Sequence, residues 1–402
     1  MIQSITPSNL SGTIPAIPSK SAAHRLLICA ALAGGGTEVE CQGTSKDIEA
    51  TKACLAAMKN GGRLPCGESG STLRFLLPVA AALGLEAEFH MEGRLPQRPL
   101  APLDAQLEAH GAVLTRPVPE ILKISGQLVP GEYTLPGDVS SQYISGLLFA
   151  LPLLEAPSTL TVTGKIESGP YIEMTLDALR QFGIHVTIEQ NVFRIPACGY
   201  RSSCKAVVEG DWSNAAFWLS AGALGAPVTV TGLNPQSLQG DKAIFDLLAA
   251  FGAQTEQNGD AYTVSPAPLH GMEIDAAAIP DLVPVLAVVA AAAEGTTRIY
   301  NAGRLRLKES DRIETVRRML EALGASVEET TDGLLIHGGK PLRGGMVDSC
   351  NDHRIAMAAA VASILCTGEV TVLQAEAVEK SYPNFWGDLQ LLQKREAVSV
   401  KK

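Results

Sequence analysis

At 402 residues the chain exceeds what one ordinary hydrophobic core organises, so two domains are expected. Hydrophobic residues make up 46% and charged residues 18%, the balance of a soluble α/β protein, and the 5% aromatic content points to helices packed by small side chains. A net charge of −10 argues against a nucleic-acid binder but not against a local basic pocket, since charges beyond roughly 10 Å are screened at ordinary salt. The opening MIQSITPSNLSG has no basic-then-apolar signal pattern, and the longest apolar runs, such as LVPVLAVVAAAA (282–293), fall short of the ~20 residues of a membrane span. A cytoplasmic protein is expected. The eight cysteines, at 29, 41, 54, 66, 198, 204, 350 and 366, show no C-x-x-C spacing and read as scattered reduced thiols.

One pattern returns six times, over 21–40, 70–90, 140–164, 212–232, 280–303 and 351–374. Each copy has a small polar or charged start, an Ala/Leu-rich helix, a Gly-containing stop in most copies and a short β-like run. Amphipathic helices follow, as in DIEATKACLAAMKNGG (47–62), APLDAQLEAHGAVL (101–114), YIEMTLDALRQFGIHV (171–186) and SDRIETVRRMLEALGASVE (310–328). Gly61, Gly111, Gly183, Gly252 and Gly324 stand where a left-handed C-cap is expected. Hairpins are expected over VTIEQNVFRI (186–195) and AQTEQNGDAYTV (253–264), the second turning at Asn258-Gly259-Asp260. A helix apolar on all sides has no solvated face, so the six Ala/Leu-rich helices must be buried. Two domains of three units follow, each with helices inside and a sheet layer around them. A doubly wound Rossmann fold competes, but no G-x-G-x-x-G follows a strand.

The starts of the apolar helices are the candidate chemistry. A helix N-terminus carries partial positive charge and unpaired N–H groups, which suits an anion. Lys20 and Arg25 add cations at the first start, Arg74 at the second, and His353 and Arg354 at the sixth; Ser140, Ser141 and Gln142 offer neutral donors at the third. Arg98, Lys308, Arg312 and Lys380 are further cations in loop-like stretches. Two carboxylates could move protons: Asp281, at the start of the fifth apolar helix, and Glu309, between Lys308 and Arg312 in RLKESDR (306–312). Each also has a plainer use, Asp281 against a helix dipole and Glu309 as an ion-pair partner. H-E-x-x-H, a Walker loop and a G-x-S-x-G elbow are absent, so metal, nucleotide-kinase and serine-hydrolase chemistry are not expected. The residues by themselves indicate a polyanion site and no particular ligand.

PSKSAAHR (18–25), GESGSTLRF (67–75), GDVSSQYISGLL (137–148), LKESDR (307–312), NDHRIAM (351–357) and EKSYPNF (379–385) resemble, in order and spacing, the 5-enolpyruvylshikimate-3-phosphate synthases. The resemblance runs from near residue 10 to about 390. It implies a two-domain inside-out α/β barrel, each domain built of three βαβαββ-like repeats with buried helices. The domains would be 1–19 with 210–402, and 20–209, with the active site in the cleft between them and closure on substrate. It implies transfer of the enolpyruvyl group of phosphoenolpyruvate to the 5-hydroxyl of shikimate 3-phosphate, with no cofactor and no metal. Lys20, Ser21, Arg25, Ser140, Ser141, Gln142, Ser168, Asp281 and Lys308 would contact shikimate 3-phosphate, with Tyr171 close by. Lys20, Gly70, Arg98, Gln142, Arg312, Arg354 and Lys380 would hold phosphoenolpyruvate. Asp281 would accept the hydroxyl proton and Glu309 donate one, with Lys20 as its partner. A monomer with no nucleic-acid or membrane partner is expected.

Two positions depart from the family pattern: Glu68, where many relatives carry a neutral residue, and Arg304, where relatives often have Asn. Two other readings stay open. A sister enzyme acting on UDP-N-acetylglucosamine would be expected to carry a Cys in the loop around Arg98 and an Asn after Lys20, neither of which stands here. A non-catalytic anion-binding module would need the cations but neither carboxylate.

Overall fold

The computed structural model describes residues 1–59, 61–203 and 205–399, so Asn60, Cys204 and residues 400–402 lie outside the described residues. The chain divides into two compact units, Lys20–Val208 and Met1–Ser19 with Glu209–Lys402. Glu209, expected to close the domain ending there, belongs instead to the unit containing the N-terminus. Its carboxylate accepts hydrogen bonds from Asn234, Ser237 and Gln239 at 2.8–2.9 Å, which ties it to that unit.

The first nineteen residues carry strands β1 (Ile2–Ile5) and β2 (Gly12–Pro15). The Lys20–Val208 unit then runs α1 (Lys20–Leu32), β3 (Glu38–Glu40), α2 (Lys46–Met58), β4 (Gly62–Gly67), α3 (Gly70–Ala82), β5 (Ala87–Met91), α4 (Leu103–Ala109), β6 (Ala112–Val118) and β7 (Ile121–Gly126). It continues with β8 (Glu132–Pro136), α5 (Ser141–Ala150), β9 (Ser158–Thr163), α6 (Gly169–Gln181), β10 (Thr187–Glu189), β11 (Val192–Ile195) and β12 (Lys205–Val207). Two repeats are complete, with sheet orders β4-β5-β7-β6 and β10-β11-β9-β8; in each, a parallel pair spans a buried helix and a hairpin is added to it. In the third repeat β3 pairs in parallel with β12 from the far end of the unit.

The other unit continues with α7 (Trp212–Leu224), β13 (Val228–Thr231), α8 (Ile244–Phe251), β14 (Gln254–Asn258), β15 (Ala261–Ser265), β16 (Glu273–Asp275), α9 (Val283–Ala292) and β17 (Thr296–Tyr300). It ends with α10 (Arg312–Ala322), β18 (Ser326–Glu329), β19 (Leu334–His337), β20 (Gly345–Asp348), α11 (His353–Ala362), β21 (Val370–Leu373) and α12 (Phe385–Ser399). The N-terminal strands complete two of its three sheets, β2 beside β13 and β1 beside β21. Helix α12 continues as far as Ser399.

Each unit has its own hydrophobic core, built on the Ala-rich helices α1, α3 and α5 in one and α7, α9 and α11 in the other. The amphipathic helices lie half-exposed, as expected from their spacing. Small residues allow the inner helices to approach closely: a Cβ on Gly146 of α5 would stand 2.3 Å from the Arg74 carbonyl oxygen of α3. All five glycines expected at helix ends have positive φ, and the β14–β15 hairpin turns through Gly259 at φ +62°. This is the inside-out α/β architecture, helices within and sheets without.

Candidate functional site

In the Lys20–Val208 unit the expected residues cluster at the starts of α1, α3, α5 and α6. Ser69 and Ser140 cap α3 and α5 through their hydroxyls, so neither helix start carries a carboxylate that would cancel its dipole. Gly70 opens α3 under two guanidiniums: a Cβ there would lie 2.5 Å from Arg74 Nη1 and 2.8 Å from Arg98 Nη1. Arg74 donates to Gln142 Oε1 (3.0 Å) and to the Pro99 carbonyl (3.2 Å), while Gln142 Nε2 donates to Ser71 Oγ (2.9 Å). Gly70, Arg98 and Gln142 therefore share one place, and Arg74, noted in the sequence only as a helix-start cation, joins them.

Arg25 is buried and lies across three elements. It donates to Thr175 Oγ1 (2.9 Å), to the Ser21 carbonyl (2.6 Å) and to the Tyr171 carbonyl (2.8 Å), and its guanidinium stands 5.2 Å from the centre of the Phe75 ring. Burial pulls its pKa down to about 10, which leaves it charged at neutral pH. Ser168, buried and left-handed at φ 54°, precedes α6 and brings Tyr171 beside Arg25. Lys20 donates to Asp47 Oδ2 at 2.8 Å. Asp47 was not singled out in the sequence, where it reads as a favourable charge in the first turn of α2.

The other unit gathers its charges around Arg312, whose side chain is 1% exposed. Its Nη1 donates to Asp281 Oδ1 (2.7 Å), its Nη2 to Glu309 Oε2 (2.7 Å) and its Nε to Asp352 Oδ2 (2.8 Å). Arg354 adds a bond from Nη1 to the Asp281 carbonyl (3.0 Å) and one from Nη2 to its Oδ2 (3.3 Å), and Lys308 Nζ lies 3.5 Å from Oδ1. Asp281 occupies a 3-10 turn, Pro280–Leu282, just before α9, so its partners are three cations and not the helix dipole alone. Burial raises its pKa, but Arg354, Lys308 and Arg312 outweigh that and hold it well below the usual carboxylate range. Lys380 Nζ donates to the Asn351 carbonyl at 2.6 Å, and Arg304 to the Ala277 carbonyl at 2.7 Å. In contrast to α3 and α5, α7, α10 and α11 are capped by carboxylates, Asp211, Asp311 and Asp352.

Two acids here were missed. Asp352 is legible as an N-cap in NDHR, but its bonds to Arg312 cross 40 residues. Asp241 is fully buried and accepts a hydrogen bond from Ser213. Burial pushes it up to about 7, with Asp281 adding to the rise and Arg354 and Ser213 opposing it. A raised carboxyl pKa favours the folded state below the unfolded value and loses that contribution as pH climbs through the folded one. Asp241→Asn is therefore expected to gain stability over the unmodified chain between about pH 4 and pH 8, on the order of 4 kcal/mol at the upper end. Urea midpoints across that range measure it, and parallel curves would contradict it. Among the described residues no group of three or more His, Cys, Asp or Glu could hold a metal ion, and no helix is long and apolar enough to cross a membrane.

Comparison with known proteins extends over almost the whole chain. A family model described as EPSP synthase (3-phosphoshikimate 1-carboxyvinyltransferase) matches residues 5–62 and 59–389. The 3-phosphoshikimate 1-carboxyvinyltransferase of Clostridium acetobutylicum is 42% identical over 418 aligned positions, covering 96% of each chain. That of Clostridium kluyveri is also 42% identical, covering 97% of this chain and 96% of its own. Among solved structures, an EPSP synthase from Acinetobacter baumannii matches with a TM-score of 0.79 at 25% identity, covering 97% of this chain and 98% of that one. The enolpyruvyl transferase NikO from Streptomyces tendae shares the fold, with a TM-score of 0.76 at 20% identity and 97% coverage of both chains.

Proposed function

The chain belongs to the EPSP synthase (3-phosphoshikimate 1-carboxyvinyltransferase) family, and on that premise we propose how its cations and carboxylates divide the reaction. The enzyme transfers the enolpyruvyl group of phosphoenolpyruvate to the 5-hydroxyl of shikimate 3-phosphate and releases inorganic phosphate, a step of the shikimate pathway to the aromatic amino acids. Addition precedes elimination. A proton reaches the methylene carbon of phosphoenolpyruvate, and the hydroxyl oxygen attacks the adjacent carbon as its own proton leaves. The tetrahedral intermediate then loses a methyl proton and phosphate together, which restores the carbon–carbon double bond. Such a sequence needs an acid, a base and cations around the developing charge.

Lys20, Gly70, Arg98, Gln142, Arg312, Arg354 and Lys380 hold phosphoenolpyruvate in this reading, with Arg74 added to them. Guanidinium forks match carboxylate and phosphate, and Gly70 lets backbone N–H groups approach the anion. Lys20, Ser21, Arg25, Ser140, Ser141, Gln142, Ser168, Asp281 and Lys308 hold shikimate 3-phosphate. Glu309 donates the proton to carbon, with Lys20 as its partner in that transfer, and Asp281 accepts the hydroxyl proton. With three cations upon it Asp281 is a weak base. Substrate carboxylate and phosphate draw on those same cations, so binding raises its proton affinity when a base is needed.

This assignment asks residues of both units to act on one pair of substrates, which domain closure would accomplish while excluding water. A monomer is proposed because each unit closes its own core. The cytoplasm is proposed because the family is biosynthetic and the cysteine spacing shows no C-x-x-C pair.

The observation that carries the site assignment is the convergence of Lys308, Arg312 and Arg354 on Asp281. Phosphate release from phosphoenolpyruvate plus shikimate 3-phosphate tests the function. Release with that pair, and none with UDP-N-acetylglucosamine in its place, is expected. The reverse result would mark the sister enzyme, and no release with either would mark a binding module.

A further inference from the structure

A buried chain of four polar side chains in the Lys20–Val208 unit has no place in the scheme above. His24 Nδ1 on α1 lies 2.6 Å from Thr51 Oγ1 on α2, which lies 2.6 Å from Thr72 Oγ1 on α3. Thr72 donates its hydroxyl proton to Ser69 Oγ at 2.7 Å, and Ser69 caps α3, also accepting from the Thr72 backbone N–H at 3.3 Å. All four residues are buried.

Proton counting gives this chain a direction. A hydroxyl has one proton, and that of Thr72 is committed to Ser69. The proton between Thr51 and Thr72 is then that of Thr51. Thr51 can only accept from His24, so the imidazole carries its hydrogen on Nδ1. With the hydrogen on Nε2, Nδ1 would need the Thr51 proton, and two lone pairs would face each other at 2.6 Å between the threonines.

We infer that His24, as the neutral Nδ1–H tautomer, is a positioning residue for phosphoenolpyruvate: the one-way chain it begins fixes the Ser69 cap, and with it the N–H groups that open α3 at Gly70. The inference rests on the reading that the start of α3 binds that substrate. On the other side of the same turn, Gln142 holds Ser71 and Arg74, so the helix start is fixed from two directions. Burial, with Lys20 and Arg25 nearby, keeps the His24 pKa well below its ordinary value, so the ring stays neutral and the direction of the chain does not change at working pH.

Thr51→Val keeps the side-chain shape and removes both bonds. It is expected to raise the KM for phosphoenolpyruvate about tenfold, with kcat and the KM for shikimate 3-phosphate within about threefold of the unmodified enzyme. Thr51→Ser is expected to restore the phosphoenolpyruvate KM to within about twofold. Nitrogen-15 NMR of the full unmodified chain should show His24 protonated on Nδ1 alone at pH 7; an Nε2–H ring or an imidazolium overturns the inference. Gly70→Ala, measured in parallel, separates the two levels. A raised phosphoenolpyruvate KM in Gly70→Ala with none in Thr51→Val, or no rescue by Ser, overturns the positioning role alone. An unchanged KM in Gly70→Ala overturns the substrate reading and the positioning role with it.

Discussion

Asp281→Asn is expected to lower kcat about 10²–10⁴-fold, the range that removal of a general base commonly costs. The amide keeps the volume, its oxygen can still accept from Arg312, and Arg354 keeps its bond to the backbone carbonyl of residue 281, so the fold should be retained. It cannot take the hydroxyl proton. The KM for phosphoenolpyruvate should stay level or fall, because Lys308, Arg312 and Arg354 lose an anion that competes with the substrate for them. Steady-state kinetics with both substrates varied measure the pair of effects. A loss of turnover under tenfold with binding intact would remove Asp281 from the proton transfer.

Arg312→Met is expected to destabilise the chain by about 3–5 kcal/mol, the penalty of removing one member of a buried ion cluster. Its guanidinium serves Asp281, Glu309 and Asp352 together, and Asp352 is wholly buried. Burial alone would lower the pKa of Arg312, but Asp352, Glu309 and Asp281 raise it above its ordinary value, so the charge is never in question. What the mutation leaves behind is an uncompensated carboxylate at the α11 cap. Adding Asp352→Asn, which keeps a good N-cap, should recover about half of the loss. Urea denaturation of the two single variants and the double variant closes the cycle. A cost under about 1 kcal/mol for Arg312→Met would mean that the cluster is far better solvated than its burial indicates.

Much of the architecture was legible because it is written in local spacing. Six Ala/Leu-rich stretches can only be inner helices, and the glycines at 61, 111, 183, 252 and 324 stop helices because a residue without Cβ accepts positive φ. The completion of the sheets was not legible in this way. Strand β2 pairs with β13 across more than two hundred residues, and β12 returns to β3, contacts that no short window contains.

The site divides along the same line. The sequence by itself determined which cations and acids stand at helix starts and which ordered motifs they belong to, since both are properties of neighbouring residues. Only the tertiary structure decided the charge each group feels. It set Lys20 against Asp47, placed Arg74 over Gly70, put three carboxylates on Arg312 and buried Asp241. Electrostatic energy depends on distance and on access to water, and folding sets both between residues remote in the chain.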